Sequence, residues 1–334
     1  FFSKSDKVMN WWQEILPIES KHEESTIKIS YQGKEKQFNP IKKKPSSALK
    51  VLLVRNRKSR IFFLQKFFDY PISLSLKTFS NLGLLKSIKI GFSYVFSRIS
   101  PIKNETTLED FLINRFGKVL YKTFFKDYTE KVWGKSCKEI PSSWGRQRIK
   151  GVSVSKVLTQ AFLKNKGLKQ KNIETSLINK FLYPRLGPGQ LWEEVAKIVI
   201  EKGGEIHLNS KASELFLEKH DIKKITSVNL ETGKKNQYSG DYFFSTMPVK
   251  ELINTISPKP QDKLIQIAND LEYRDFITVG LLLKKLKLKN SKDNLQITDN
   301  WIYIQEKSVK LGRLQIFNNW SPDLVKNKNN SWLG

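Results

Sequence analysis

Tyr183-Pro184-Arg185-Leu186-Gly187-Pro188-Gly189-Gln190 is a turn that only glycines and prolines make easily. The apolar spacing after it predicts a helix over 191–202. Leu191, Val195, Ile198 and Val199 share one face, and Trp192, Ala196 and Ile200 widen it, so burial on more than one side is expected. Gly203-Gly204 suits a left-handed C-cap. Residues 205–208 alternate as a short strand. Residues 224–239 read as a hairpin with Glu231-Thr232-Gly233-Lys234 at its turn. Residues 241–246 read as a short buried strand, halted by Pro248, which fits the first turn of a helix over 249–253. Glycine turn, helix, strand, hairpin, strand and helix start make an α/β segment. Its last junction points free backbone N–H groups beyond the sheet edge, which suits a phosphate. An ordinary α/β segment without a ligand satisfies the same pattern.

The 334 residues suffice for one large or two ordinary domains. A hydrophobic content of 39% with 12% aromatics describes a folded chain. The single cysteine, Cys137, excludes an internal disulfide and a cysteine zinc site, and suits a reducing, cytoplasmic compartment. The three histidines lack ligand spacing: His22 and His220 read as loop residues and His207 as a sheet residue. A net charge of +27 raises the question of nucleic acid or an anionic membrane. The lysines are spread over nearly every segment, as an AT-rich coding sequence produces. No RNP, zinc-finger or helix-turn-helix signature accompanies them.

Outward from the central segment, a helix over 7–15 places Val8, Trp11, Trp12 and Ile15 on its apolar side. Residues 26–37 read as a hairpin, 42–45 as a basic linker and 48–54 as a strand. Residues 60–71 are hydrophobic beyond what one exposed strand needs. One or two helices follow over 74–102. The apolar part, 81–102, is too polar to span a bilayer. It suits a packed helix of a larger domain or, alternatively, a basic amphipathic helix lying on a membrane. Thr106-Thr107-Leu108-Glu109 opens a capped helix. Tyr128-Thr129-Glu130-Lys131-Val132-Trp133-Gly134 and Trp144-Gly145-Arg146-Gln147-Arg148-Ile149 follow, then a short helix over 158–170. Beyond the central segment lie a helix over 261–271, a long buried strand over 273–283, and strands over 301–304 and 312–317 of the same sheet. Residues 318–322 close them, and Trp332-Leu333-Gly334 begins another strand.

These stretches resemble the FAD-dependent amine oxidase and protoporphyrinogen oxidase-like superfamily, in the branch distantly similar to UDP-galactopyranose mutase. Phe1-Phe2-Ser3-Lys4 is similar to the tail of its Gly-Gly-His-Arg-Phe-Phe-Ser-Lys motif, Tyr128 to Ile149 to its Tyr-x-x-Lys-Val-Trp-Gly block, and Asn300 to Pro322 to its later strands. Residues 60–71 resemble a strand–turn–strand of the same flavoproteins, with Leu64-Gln65 in place of the usual turn residues. The resemblance implies a mixed α/β, α+β fold. A partial, Rossmann-like FAD domain would use 1–25 and 183–255. A substrate domain with a mixed or antiparallel sheet and a helical cap would use 26–182 and 256–334. It also implies that the chain is a fragment lacking the pyrophosphate-binding turn, with weak FAD binding of its own. The implied activity is hydride transfer between a substrate carbon and flavin N5. The alternatives are a mutase acting on a sugar nucleotide, and an inactive fragment or basic peripheral-membrane protein. The substrate pocket would use Trp133, Arg146, Arg148, Arg185, Arg274, Tyr303 and Arg313, and the FAD site Gly187, Gly189, Ala212, Thr246 and Pro248. No metal site and no nucleic-acid partner are expected.

Overall fold

The computed structural model describes residues 3, 5–19, 26–31, 34–38, 40, 46–70, 72, 76–148, 178–284, 286 and 297–334. The expectations for 42–45 and 158–170, for His22 and for Phe1, Phe2 and Lys4 lie outside them. The chain divides into two compact units, residues 1–195 with 277–334, and residues 196–276.

In the first unit Ser5 caps α1 (Asp6–Ile15), its hydroxyl accepting from the Val8 N–H. The helix buries Met9 and Gln13, while Val8 and Trp11 stay exposed. Of the expected apolar side, Trp12 and Ile15 are partly buried against the core beside Met9. β1 (Ile27–Tyr31) and β2 (Lys34–Phe38) form the expected hairpin. The strand expected over 48–54 starts later, as β3 (Leu52–Asn56), because residues 46–51 turn. It pairs antiparallel with β6 (Lys180–Pro184). Met9, Leu16, Ile29, Leu52, Leu182 and Leu191 close one core.

A second core is organised by a mixed sheet. β4 (Ser59–Phe63) and β5 (Lys66–Asp69) are antiparallel and joined by Leu64-Gln65, both with positive φ (49° and 56°). Two left-handed residues in a two-residue loop match the twist of the hairpin, although neither is the glycine or asparagine that usually sits there. β12 (Trp301–Ile304) pairs parallel with β4 and antiparallel with β13 (Arg313–Gln315). Register puts Ile61, Phe68, Tyr303 and Arg313 on one face, and Phe62, Phe67, Ile302, Ile304 and Leu314 on the other. The second face belongs to a core with Ile297, Ile316 and Leu333.

Helices cover the first face: α2 (Leu76–Leu82), α3 (Leu84–Ile99), α4 (Leu108–Phe116), α5 (Lys118–Tyr121), a π-helical turn (Lys122–Lys126), α6 (Asp127–Trp133) and α7 (Ser142–Arg148). Thr107 and Asp110 cap α4 reciprocally, as a capping box does. Gly117 has φ +80°, and a Cβ there would sit 2.8 Å from the Tyr94 backbone nitrogen, so glycine sets how closely α5 meets α3. Phe68, Phe111, Leu112, Phe116, Tyr121 and Phe124 fill the space beneath.

The division between units falls inside α8 (Pro188–Glu201), which buries only Gln190 and Leu191. The expected burial on several sides does not occur: Trp192, Ile198, Val199 and Ile200 are exposed. Bonds from the N–H groups of Gly203 and Gly204 to the carbonyls of Ile200 and Val199 end the helix as a Schellman cap. The second unit holds a four-stranded sheet in the order β10 (Ile256–Ser257), β7 (Ser210–Glu218), β8 (Asp221–Asn229), β9 (Lys235–Ser239). The expected hairpin over 224–239 is β8 and β9. The strands expected over 205–208 and 241–246 do not form, because neither segment finds a ladder partner. Tyr242 and Phe244 are 85% and 95% exposed. His207 therefore lies outside the sheet, beside Glu205 at 3.0 Å. Pro248 caps α9 (Val249–Asn254), and α10 (Asp262–Asn269) follows.

The long strand expected over 273–283 shrinks to β11 (Leu281–Leu283), with residues 271–280 exposed and without ladder bonds. β11 pairs with β14 (Ser331–Leu333) in a separate two-stranded sheet and not in the sheet of β12 and β13. Within 312–317 only Arg313–Gln315 is strand, since Phe317 opens α11 (Phe317–Trp320). The whole is the mixed α/β architecture expected, with mixed and antiparallel sheets beside several helices.

Candidate functional site

Strand alternation selects the site. In β12, Ile302 and Ile304 are buried in one core, so Trp301 and Tyr303 point to the opposite face. There the Tyr303 ring meets Tyr70 at 4.3 Å and Tyr128 at 5.6 Å between centroids. Tyr70 follows β5, and Tyr128 comes from the first turn of α6. Arg57, between β3 and β4, lies over Tyr70 and Trp301, its guanidinium carbon 5.5 and 5.0 Å from their rings. One guanidinium nitrogen donates to Ser59 Oγ at 2.7 Å.

Trp301 stacks on Trp320 at 5.2 Å, and Trp320 meets Phe181 and Tyr183 of β6 at 4.9 and 5.2 Å. Its indole N–H donates to the Asn300 carbonyl at 3.0 Å, while its own carbonyl accepts from Arg55 Nε at 2.8 Å. The aromatic wall is thus fixed at both ends. The Trp301 indole nitrogen is buried and has no hydrogen-bond partner among the described residues.

The electrostatics are those of a cation in a phenolic surround. Burial lowers the Arg57 pKa, opposed by charge interaction with Tyr303 and Tyr70. Burial likewise raises Tyr70, with Tyr303 adding to it. Tyr128 is pushed up to about 12, by burial first and Tyr303 second, with Arg313 opposing. Tyr70 and Tyr128 are therefore neutral donors at physiological pH. No carboxylate forms an ion pair with Arg57 among the described residues. A partly desolvated guanidinium without a counter-charge is costly, and a planar anion such as carboxylate or phosphate relieves that cost.

α6 is held against this face by Lys131, whose Nζ donates to the carbonyls of Ile304, Glu306 and Leu311 at 3.0, 2.7 and 3.2 Å. Burial lowers its pKa.

Of the residues expected at a substrate pocket, Tyr303 and Arg313 come together, directly opposite each other in the β12–β13 ladder. Trp133 is exposed and meets Trp144 edge-on at 5.2 Å. Arg146 pairs with Glu105 at 2.6 Å and donates to Ser142 Oγ at 2.6 Å. Arg185 lies 3.6 Å from Glu19 and 3.3 Å from Asp323. These two arginines are therefore already occupied by carboxylates. The Arg148 side chain lies outside the description, and Arg274 is exposed in the second unit.

The residues expected at a flavin fall in both units. In the first, Gly187 has φ +99° and a Cβ there would sit 3.3 Å from Leu324, whereas nothing lies within 4 Å of one at Gly189. In the second, Ala212 sits opposite Ser227 in the β7–β8 ladder, and Thr246 and Pro248 lie on the extended segment before α9.

Arg57, Tyr70, Tyr128, Trp301 and Trp320 were not expected at the site. The alternation of 301–304 could have found Trp301 beside Tyr303. Nothing local marks Arg57, which reaches the cluster from a loop. A separate cleft of about 770 Å³ is lined by residues that include Leu282, Leu324, Val325, Lys326, Asn330 and Trp332, and holds none of the expected substrate or flavin residues. No group of metal-ligating residues occurs among the described residues.

No protein-family profile matches the chain, and no curated protein sequence does. Solved structures do match. A crystal structure of reduced UDP-galactopyranose mutase aligns with a TM-score of 0.65 and 18% identity, over 84% of this chain. The chain spans 57% of the length of that structure. The likeness is one of fold.

Proposed function

We propose that this chain belongs to a flavin-dependent enzyme with FAD as cofactor, and that the face bearing Arg57, Tyr70, Tyr128, Tyr303 and Arg313 holds an anionic, hydroxyl-rich substrate. The observation that carries the reading is Arg57, partly buried against tyrosines with no carboxylate among the described residues to neutralise it. The fold likeness to a flavin-dependent mutase supports the cofactor.

In this reading residues 1–25 and 183–255 belong to the flavin domain, and 26–182 with 256–334 to the substrate domain. Gly187, Gly189, Ala212, Thr246 and Pro248 would line the cofactor. Bound FAD supplies either hydride acceptance at N5 or, when reduced, a nucleophile. Arg57 and Arg313 hold the substrate's anionic group through paired N–H donors. The neutral phenols of Tyr70 and Tyr128 donate to its oxygens, the Tyr303 ring packs between them, and the Trp301–Trp320 wall excludes water.

The superfamily resemblance favours oxidoreduction, and the fold likeness together with the arginine–tyrosine face favours a mutase acting on a sugar nucleotide. Anaerobic mixing separates them. If a substrate bleaches the oxidised flavin, the protein is an oxidoreductase. If UDP-galactose is converted only after dithionite reduction, with no net electron flow, it is a mutase. A protein from the complete gene that binds no flavin under either condition would refute both.

A further inference from the structure

We infer that α3 lies on an anionic lipid surface, with its outward face in the headgroup region. Leu84, Leu85, Phe92, Phe96 and Ile99 are between 70 and 78% exposed, and Ile88 is exposed with them. At about 100° per residue they share one arc of roughly 120°. Lys89 borders the arc on one side and Arg98 on the other. The opposite side carries Ile90 and Ser97, which are buried against the rest of the first unit. The helix is thus anchored by one side and presents a continuous apolar stripe with the other, far beyond the scattered single exposures of an ordinary surface.

Charge selects the occupant. From residue 70 to residue 104 the sequence has no Asp or Glu, and it has five basic residues, Lys77, Lys86, Lys89, Arg98 and Lys103. Residues 36–68 and 140–173 are acid-free and basic too, so what distinguishes α3 is that Lys89 and Arg98 flank an exposed apolar stripe. Two copies meeting through this face would bring like charges together, whereas an anionic headgroup layer neutralises them. The helix has 16 residues, and no described helix is long and apolar enough to cross a membrane. It would therefore lie in the interface plane, its apolar stripe among the acyl-chain ends and its cations at the headgroups.

The test is co-sedimentation of the protein with phosphatidylcholine vesicles and with phosphatidylcholine–phosphatidylserine vesicles, at low and physiological salt. Binding to the anionic vesicles is expected, weakening as salt rises. Lys89→Gln with Arg98→Gln should lower the partition coefficient by roughly 25-fold, about fivefold per cation. Phe92→Ser with Phe96→Ser should lower it at least about tenfold. Lys211→Gln with Lys235→Gln removes the same charge from the second unit and should leave binding within about twofold, which separates a local site from net charge. All six side chains are outside the buried cores, and unchanged circular dichroism checks that each variant is folded. Equal binding to both vesicle types, or indifference to both α3 variants, would overturn the inference. So would a dimer dissolved by the phenylalanine variant in a protein that ignores vesicles.

Discussion

Phe62-Phe63 in the first unit and Phe243-Phe244 in the second are the same dipeptide in similarly apolar surroundings. The first sits in β4, hydrogen-bonded to β5 on one side and β12 on the other, with helices over Phe63 and a second core under Phe62. The second sits in an extended segment with no ladder partner, and Phe244 is almost wholly exposed. Side-chain pattern proposes a strand, but only a neighbouring strand and a covering layer make one. The contrast extends to whole units. Among the described residues the first holds three cores, whereas in the second only Leu215 and Ala268 are buried apolar residues.

The widest test of this contrast is a pair of truncations. Phe68→Ala should cost about 3–5 kcal/mol in denaturant unfolding, since Phe68 packs edge-on against Phe124 in a closed core. Phe244→Ala should cost less than about 0.5 kcal/mol. Similar losses would mean that the second unit buries Phe244 in solution. Next in size is Asp299→Ala. Asp299 accepts from Arg60 Nε at 2.9 Å and from a terminal nitrogen at 2.6 Å, and its side chain is fully buried. Leaving Arg60 without that partner should cost about 3 kcal/mol, measured the same way.

A gain is expected at the β4–β5 turn. Leu64→Asn with Gln65→Gly should stabilise by about 1–2 kcal/mol, because both residues are held in the left-handed region. A loss there would show that the Leu64 side chain contributes packing that outweighs the backbone strain. A more modest loss is expected at the α4 cap, where Thr107→Ala should cost about 1 kcal/mol. Burial pushes the Asp110 pKa up, but hydrogen bonds from Thr107 and Thr106 outweigh it and hold the carboxyl below the usual aspartate range. A depressed carboxyl stabilises the fold above its unfolded pKa and loses that contribution as pH falls through the folded one. Acid titration of unfolding midpoints should therefore converge for wild type and Asp110→Asn at low pH.

Local signals in the sequence carried much of this structure. The cap at Thr107, the Gly203-Gly204 helix stop and the two helices of 76–99 each depend on a few adjacent residues and formed as expected, whereas the turn at Leu64-Gln65, which lacks the usual turn residues, was expected from the family resemblance. What failed depended on distant partners. Residues 205–208, 241–246 and 271–280 are apolar enough for strands, yet no strand lies beside them. The reverse also occurred, since β7 was not expected and forms through its partners β8 and β10. The site shows the same divide. Tyr303 and Arg313, both expected at a pocket from the family resemblance, are brought opposite each other by strand register. Arg146 and Arg185 looked equally suitable, and only the fold reveals Glu105, Glu19 and Asp323 beside them. Arg57 was invisible because its tyrosine surround is assembled from residues 70, 128 and 303.

The central claim is that this arginine–tyrosine face holds an anionic substrate beside a flavin. Its most direct test is a difference-absorbance titration of the protein from its complete gene with UDP, in wild type and in Arg57→Gln. The account predicts bound flavin, a saturable spectral shift on adding UDP, and at least about tenfold weaker binding in the variant. A protein without flavin, or a UDP affinity that Arg57→Gln leaves unchanged, would contradict it.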